Sequence, residues 1–465
     1  MAVPLVIVYA FVLVFLLCFS LLLRWNDIRY RRKGLPPGTM GWPIFGETGG
    51  FIKQGPDFMK NKRSRHGDLF KTHALGSPTV ICMDPDLNRY ILLNEAKGLV
   101  PGYPESMRNI LGKNNIAAVH GSVHKHIRGS LLSLTGSVAI RDHLMPKTDR
   151  FIRSFLDNWA GKTIDIQDKT NEMAFFVSMK QIVETESISF CEAFKATFDK
   201  LASGTIALPI KLPGTTYFQG LQARKKVTAI LKQVLARRRA SPETHDDMLD
   251  MLLRSEDFRY KLNDEEIIDQ IITILYSGYE TVSTTSMMAI KYLHDNPKAL
   301  QEIREEHFAI QQRKKAGEPV TWDDYKSMSF TRAVLFETMR LATVVNGVLR
   351  KTTKDVELNG FSIPKGWRVY VYIREINNDP FLYPEPFTFN PWRWLEKGLE
   401  SHSHNMLFGA GGRQCPGKEL GIVKISVLLH YFVTKYRWEE LEGTKILKFP
   451  RVEAENELRI RVSEY

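Results

Sequence analysis

The segment from Asp264 to Tyr292 constrains the fold of this chain most, because it reads as one long, uninterrupted helix. Asn263 stands where a cap belongs, with Glu266 three residues on as in a capping box, and Pro297 lies just past the end. A helix this long belongs in a large, mostly helical body. Pro297 to Lys315 follows as a charged amphipathic helix, and a third runs from about Met328 to Leu341. The pattern then changes. Val348 to Tyr372 is rich in β-branched and aromatic residues, with a hairpin-turn signal at Asn359-Gly360 and a further turn at Pro364-Lys365-Gly366. Phe381 to Trp394 reads as a meandering loop, and a last helix runs from near Pro416 to about Lys435. The expectation is a mainly α fold with a small β portion. The 465 residues, 43% hydrophobic, can bury a large core.

The N-terminus is organised differently. Ala2 to Leu23 carries no charged side chain, and Arg24, Arg29, Arg31, Arg32 and Lys33 follow. About 20 apolar residues suffice to span a bilayer as a helix. Flanking positive charge tends to stay cytosolic. A cleaved signal peptide would carry its basic residues first and have a shorter apolar core. Residues 1–23 are therefore expected to be a transmembrane anchor, with the body in the cytosol. Residues 24–44, basic and then proline-rich (Gly34-Leu35-Pro36-Pro37-Gly38, Gly41-Trp42-Pro43), are expected to form a stiff stalk. No repeat, low-complexity tract or linker divides the remainder, so 45–465 reads as one catalytic domain.

Charge and cysteine content narrow the classes. The formal net charge of +12 fits an anionic membrane surface or an acidic protein partner, and by itself it fits nucleic acid equally well. The four cysteines, Cys18, Cys82, Cys191 and Cys415, are scattered, with no zinc-type spacing and far too sparse for a disulfide scaffold. Cys415 stands apart because of its surroundings, Phe408-Gly409-Ala410-Gly411-Gly412-Arg413-Gln414-Cys415-Pro416-Gly417. Three glycines permit backbone conformations closed to other residues and let the loop pass close to a flat ligand. Pro416 suits the first turn of a helix. That would place Cys415 at a helix N-terminus, where unpaired N–H groups favour a thiolate. Arg413 offers positive charge to a nearby carboxylate. A phosphate loop would want Gly-Lys-Ser/Thr, which is absent.

The same string resembles the Phe-x-x-Gly-x-Arg-x-Cys-x-Gly signature of the cytochrome P450 family at every fixed position. The resemblance implies haem b with Cys415 as axial thiolate ligand, which favours O–O cleavage, and Phe408 and Arg413 beside the cofactor. Other stretches fit the same family in the same order. Ser277-Gly278-Tyr279-Glu280-Thr281 resembles the oxygen-binding motif of the long helix, with Ser277 where Ala or Gly is usual. It implies a notch at Gly278 and proton relay by Glu280 and Thr281. Glu337-Thr338-Met339-Arg340 resembles the Glu-x-x-Arg element, and Arg393 within Phe389-Asn390-Pro391-Trp392-Arg393-Trp394 its third partner, implying a structural triad of Glu337, Arg340 and Arg393. The same spacing at Glu105 to Arg108 and Glu256 to Arg259 reads as solvated charge. His124-Lys125-His126-Ile127-Arg128 resembles Trp-x-x-x-Arg, with His124 in place of Trp. It implies that Arg128, with Arg350 and His124, holds the haem propionates.

Three stretches further resemble the plant brassinosteroid C-6 oxidases: Val100 to Pro104, Tyr276 to Thr285 and Val345 to Lys351. The resemblance implies oxidation of a 6-deoxo steroid at C-6, by hydroxylation and then ketone formation. It also implies electrons from a membrane-bound NADPH–cytochrome P450 reductase, residence in the endoplasmic reticulum membrane, and no nucleic-acid partner. Ile271, Ile274, Leu275 and Gly278 on the long helix, with Val344, Val345 and Val348, are candidates for an apolar substrate pocket; ordinary core packing explains any one of them as well. A hydroxylase of another steroid or terpenoid, a haem-thiolate isomerase and a non-enzymatic haem sensor stay open, although Glu280 and Thr281 argue against the isomerase.

Overall fold

The computed structural model describes residues 2–184, 188–254, 261–396, 398–441 and 443–465, with backbone alone for 2–8, 10 and 188. The Glu256 to Arg259 pair lies outside the described residues. The chain forms two compact units, 1–102 with 346–376 and 103–345 with 377–465. Each is assembled from separate stretches of chain.

The first unit begins with α1 (Ala2–Leu23). Its described side chains are exposed, Phe11 at 78%, except Leu23, which is half-buried. Side chains in α1 are described only at Tyr9 and from Phe11 on, and among the described residues no helix is long and apolar enough to cross a membrane. The unit is built on a sheet of β1 (Leu69–Ala74), β2 (Ser77–Cys82), β3 (Leu99–Pro101), β4 (Gly347–Thr352) and, beyond the hairpin of β5 (Val356–Leu358) and β6 (Phe361–Ile363), β7 (Arg368–Tyr372). The strand order is β1-β2-β7-β4-β3, with β2 and β7 parallel and the other neighbours antiparallel. Asn359 and Gly360 turn the β5–β6 hairpin at φ of 49° and 77°, the double positive φ of a type I′ turn. Gly102 is fixed by close approach: a Cβ there would lie 2.2 Å from the Arg350 carbonyl oxygen, and its N–H donates to Leu349 O at 3.0 Å.

The proline-rich stretch does not stand off as a stalk. Lys71 N–H donates to Pro37 O and Ser362 N–H to Gly34 O, both at 2.8 Å, while Arg32 pairs with Asp355 at 2.6 Å. Proline removes a donor but keeps its carbonyl. An extended proline segment can therefore fasten to a sheet edge as an acceptor.

The second unit is helical. It contains α2 (Gly121–Thr135), α3 (Ile166–Ile182), α4 (Ile188–Thr205), α5 (Thr216–Ala240), α6 (Asp264–Asp295), α7 (Pro297–Gln312), α8 (Ser329–Ala342) and α9 (Lys418–Lys435). Thr163–Asp165, Arg459–Glu464 and Tyr436–Glu440 form a small antiparallel sheet. The capping box forms as expected: Glu266 N–H donates to Asn263 Oδ1 at 3.0 Å, and Asn263 N–H to Glu266 Oε2 at 2.9 Å. α6 runs three residues past Tyr292 because Leu293 still packs in the core, fully buried. α4 and α5 cross at Gly204 and Gly220, where a Cβ on the first would meet the Cα of the second at 2.8 Å. α9 is buried along most of its length, from Leu420 through Thr434, as befits a helix at the centre of a large core.

Candidate active site

Cys415 sits three residues ahead of α9. The helix opens at Lys418 with Gly417 as its cap, so Pro416 stands outside the first turn, contrary to the sequence expectation. Other contacts fix the loop. Cys415 N–H donates to Phe408 O at 2.9 Å and Gln414 N–H to Gly411 O at 3.1 Å. The hydroxyl of Thr135, at the end of α2, donates to Pro416 O at 3.0 Å. Gly409 and Gly411 adopt φ of 72° and 66°, which side-chain-bearing residues rarely hold.

Cys415 is exposed as a residue, yet its thiol is desolvated by the surrounding protein. Burial pushes the Cys415 thiol up, while the Gly417 N–H and the charges of Arg128 and Lys418 pull it down. Burial wins, so the protein alone favours the thiol. A metal taking the proton's place would reverse that balance, because a thiolate ligand binds deprotonated. Arg128, half-buried on α2, feels both Cys415 and Arg413. An accessible soft ligand, a glycine loop with open space over Gly412 and Gly417 and paired cations suit a flat, iron-bearing group with anionic arms. The residues present therefore fit haem.

Arg413 does more than the resemblance implied. It donates to Ile116 O at 3.1 Å and Val119 O at 2.6 Å, tying the cysteine loop to the segment ahead of α2. That segment is in turn held to α6. Ile116 N–H donates to Gln270 Oε1 at 3.1 Å, Gln270 Nε2 to Asn114 O at 2.7 Å, and Asn114 N–H to Asp269 Oδ2 at 3.0 Å; Arg224 pairs with Asp269. Sequence reasoning missed Gln270 and Asp269. Their signal was two polar residues inside an apolar helical run, Ile267 to Ile272.

On α6, Ser277 and Thr281 are exposed, one turn apart, and Thr281 Oγ1 donates to Ser277 O at 2.7 Å. Gly278 looks elsewhere: a Cβ there would come within 3.3 Å of Ser178 Oγ on α3. Thr281 thus shares its open face with Ser277 rather than with Gly278. Glu280 pairs with Arg451 at 2.7 Å, a partner from a distant loop that no local pattern announces. Ile271 and Leu275 are fully buried in the core, as ordinary packing would have them, and Ile274 is half-buried. Val344 is half-buried and Val345 exposed. Val348 and Arg350 lie on β4 in the first unit, Arg350 2% exposed. His124 is buried on α2 beside the turn that carries Arg128.

The triad residues come together. Arg340 grips Glu337 with two nitrogens, at 2.8 and 2.9 Å, and Arg393 Nε reaches Glu337 Oε1 at 3.2 Å. Trp394 Nε1 donates to Glu337 Oε2 at 2.8 Å and Asn390 N–H to Oε1 at 3.0 Å. The arginines spend further donors on the meander: Arg340 on Asn377 O and Pro386 O, both at 2.7 Å, and Arg393 on Pro384 O at 2.7 Å. All three charged side chains are at most 4% exposed. The repeat of the spacing at Glu105 and Arg108 is exposed.

Known proteins point the same way. The sequence model of the cytochrome P450 family matches residues 36–455. A cytochrome P450 85A of Phaseolus vulgaris is 65% identical over 455 residues, 98% of each chain. The 3beta,22alpha-dihydroxysteroid 3-dehydrogenase of Arabidopsis thaliana is 38% identical over 440 residues, 93% of each. Among solved structures, the retinoic acid-bound cyanobacterial CYP120A1 superposes with a TM-score of 0.84 at 27% identity, covering 93% of this chain and 99% of that one. The cysteine loop, the helical body and these relatives converge: the chain belongs to the cytochrome P450 family and is a monooxygenase that uses NADPH and dioxygen.

Proposed function

We propose that this monooxygenase oxidises C-6 of a 6-deoxo brassinosteroid, 6-deoxocastasterone to castasterone, by hydroxylation and then ketone formation. The observation that carries the reading is the set of three stretches, Val100 to Pro104, Tyr276 to Thr285 and Val345 to Lys351, that resemble plant C-6 oxidases. Whole-chain identity of 65% to a cytochrome P450 85A supports it, and so does a relative named for a dihydroxysteroid.

Cys415 would hold the iron of haem b, with Arg128, Arg413 and His124 offered to its anionic arms. Haem in that setting supplies insertion of one oxygen atom of dioxygen into a C–H bond. The chain's part is to deliver protons and keep water out. Thr281 presents its hydroxyl on the open face of α6, and Glu280 beside it is the acid that replenishes the proton. α1, uncharged throughout, anchors the protein in the endoplasmic reticulum membrane. An NADPH–cytochrome P450 reductase with an acidic face supplies electrons to the basic catalytic body.

Thr281→Ala is expected to lower product formed per NADPH by about tenfold or more, a modest share of what a positioned proton donor contributes, with the difference appearing as peroxide. Unchanged coupling would remove Thr281 from the mechanism. The function itself is tested with full-length protein in microsomes, a plant NADPH reductase and 6-deoxocastasterone, with products followed by mass spectrometry. A 6-hydroxy and then a 6-keto product is expected. A normal thiolate-haem spectrum of the reduced carbonyl form without product would overturn the substrate while leaving the monooxygenase in place.

A further inference from the structure

A single lysine lies in the apolar run Gly421-Ile422-Val423-Lys424-Ile425-Ser426-Val427, inside α9 and nine positions after Cys415. Lys424 is 4% exposed, and among the described residues it has no carboxylate partner. Its Nζ donates to Ser178 Oγ on α3 at 3.0 Å, and Ser178 Oγ donates in turn to Ala174 O at 2.7 Å. Ser178 is the atom group that faces Gly278, where an added Cβ would come within 3.3 Å. Lys424, Ser178 and Gly278 therefore form a line from α9 through α3 to the turn of α6 that carries Thr281.

We propose that Lys424 is a positioning residue whose buried amine, by its bond to Ser178, holds Ser178 against Gly278 and so sets the Gly278–Thr281 turn. Charged groups on the neighbouring helices have other partners: Asp149 pairs with Arg153, Glu306 accepts from Thr331 and Arg332 pairs with Glu400. On α3, Lys169 pairs with Glu172 and Lys180 lies over the Phe151 ring. On α6, Glu280 pairs with Arg451, and Lys291 with Asp295 and Glu440. On α9, Lys418 pairs with Glu400, Glu419 bonds Tyr325, His430 contacts His307, and Lys435 pairs with Asp157. Burial is accordingly the sole influence on the Lys424 amine, taking it from 10.5 down to about 7. An ammonium here would bring a bare charge into the core; the amine makes the same hydrogen bond without it.

The sign of the pH effect follows. The unfolded chain takes up this proton as pH falls below 10.5, whereas the folded chain does so only near 7. Stability is thus lost as pH falls through that window and levels off below it. The consequence for coupling rests on the role given to Thr281 above; the unfolding measurement does not.

The test compares full-length wild type, Lys424→Met and Ser178→Ala. Methionine fills a similar volume without an amine, so Lys424→Met is expected to fold. Its advantage over wild type in thermal stability should grow as pH is lowered from about 10 to about 7 and then stay constant. An advantage that does not change with pH overturns the uncharged amine. Product per NADPH should fall several-fold in Lys424→Met and in Ser178→Ala, with substrate affinity unchanged, and no further in the double variant. Additive losses, or full coupling in both single variants, overturn the line through Ser178. Wild-type coupling should also change with pH around 7 and lose that dependence in Lys424→Met.

Discussion

Cys415→Ala is expected to leave a folded protein with no thiolate-ligated haem and no monooxygenase activity. The side chain makes no contribution to the backbone bonds that shape its loop: Cys415 N–H to Phe408 O, Gln414 N–H to Gly411 O, and Thr135 Oγ1 to Pro416 O all survive truncation. The other cysteines cannot substitute. Cys82 is fully buried in β2, its thiol pushed up to about 12 by burial. Cys191 is buried on α4, its thiol also pushed up by burial. Cys18 lies on α1. The loss is therefore of ligand and function without loss of fold, because electron donation from the thiolate is what drives O–O cleavage. The reduced carbonyl spectrum and the far-ultraviolet circular dichroism of the same sample check both halves. A normal thiolate-haem spectrum in the variant would sink the assignment of Cys415. Loss of helical signal would mean instead that the side chain holds the loop.

Much of the local structure was legible because its demands are met within a few residues. The capping box at Asn263, the positive-φ pair at Asn359-Gly360 and the glycines around Cys415 each satisfy a backbone demand within a few residues. The triad was legible for another reason: the order of helix, small sheet and meander resembles a family whose Glu-x-x-Arg pair has a third partner. What stayed hidden depends on pairings between distant segments. Nothing near Pro37 reveals that its carbonyl takes the N–H of Lys71, and nothing near Glu280 reveals Arg451. The start of α9 was misplaced by two residues because proline suits a first helical turn, and here the loop uses it just outside that turn. Ile271, Leu275 and Gly278 show the limit of reading a face from spacing. On a helix with apolar residues on most of its circumference, only its neighbours distinguish core from cavity.

Glu337 should show the largest effect of any single substitution on stability. Its carboxylate, fully buried, accepts from two arginines, an indole and a backbone N–H. Glu337→Ala leaves the guanidinium groups of Arg340 and Arg393 buried with carbonyl partners and no opposing charge. Removing one member of such a group costs about 3–5 kcal/mol, and the meander from Asn377 to Arg393 should loosen first because both arginines hold it. Glu337→Gln separates charge from shape. The amide oxygen can still accept from Trp394 or Asn390, but its nitrogen faces donors, so the loss should be close to that of alanine rather than far below it. Arg340→Lys should also be costly, since an ammonium cannot reproduce the two-pronged grip on Glu337 or stack on the Tyr383 ring, now 4.9 Å from the guanidinium. Denaturant unfolding of each variant, with haem content measured alongside, gives the comparison. If Glu337→Gln unfolds within about 1 kcal/mol of wild type, the size of an ordinary neutral hydrogen bond, the triad is a hydrogen-bonding frame and its charge is incidental. If it matches alanine, the buried carboxylate itself holds the meander.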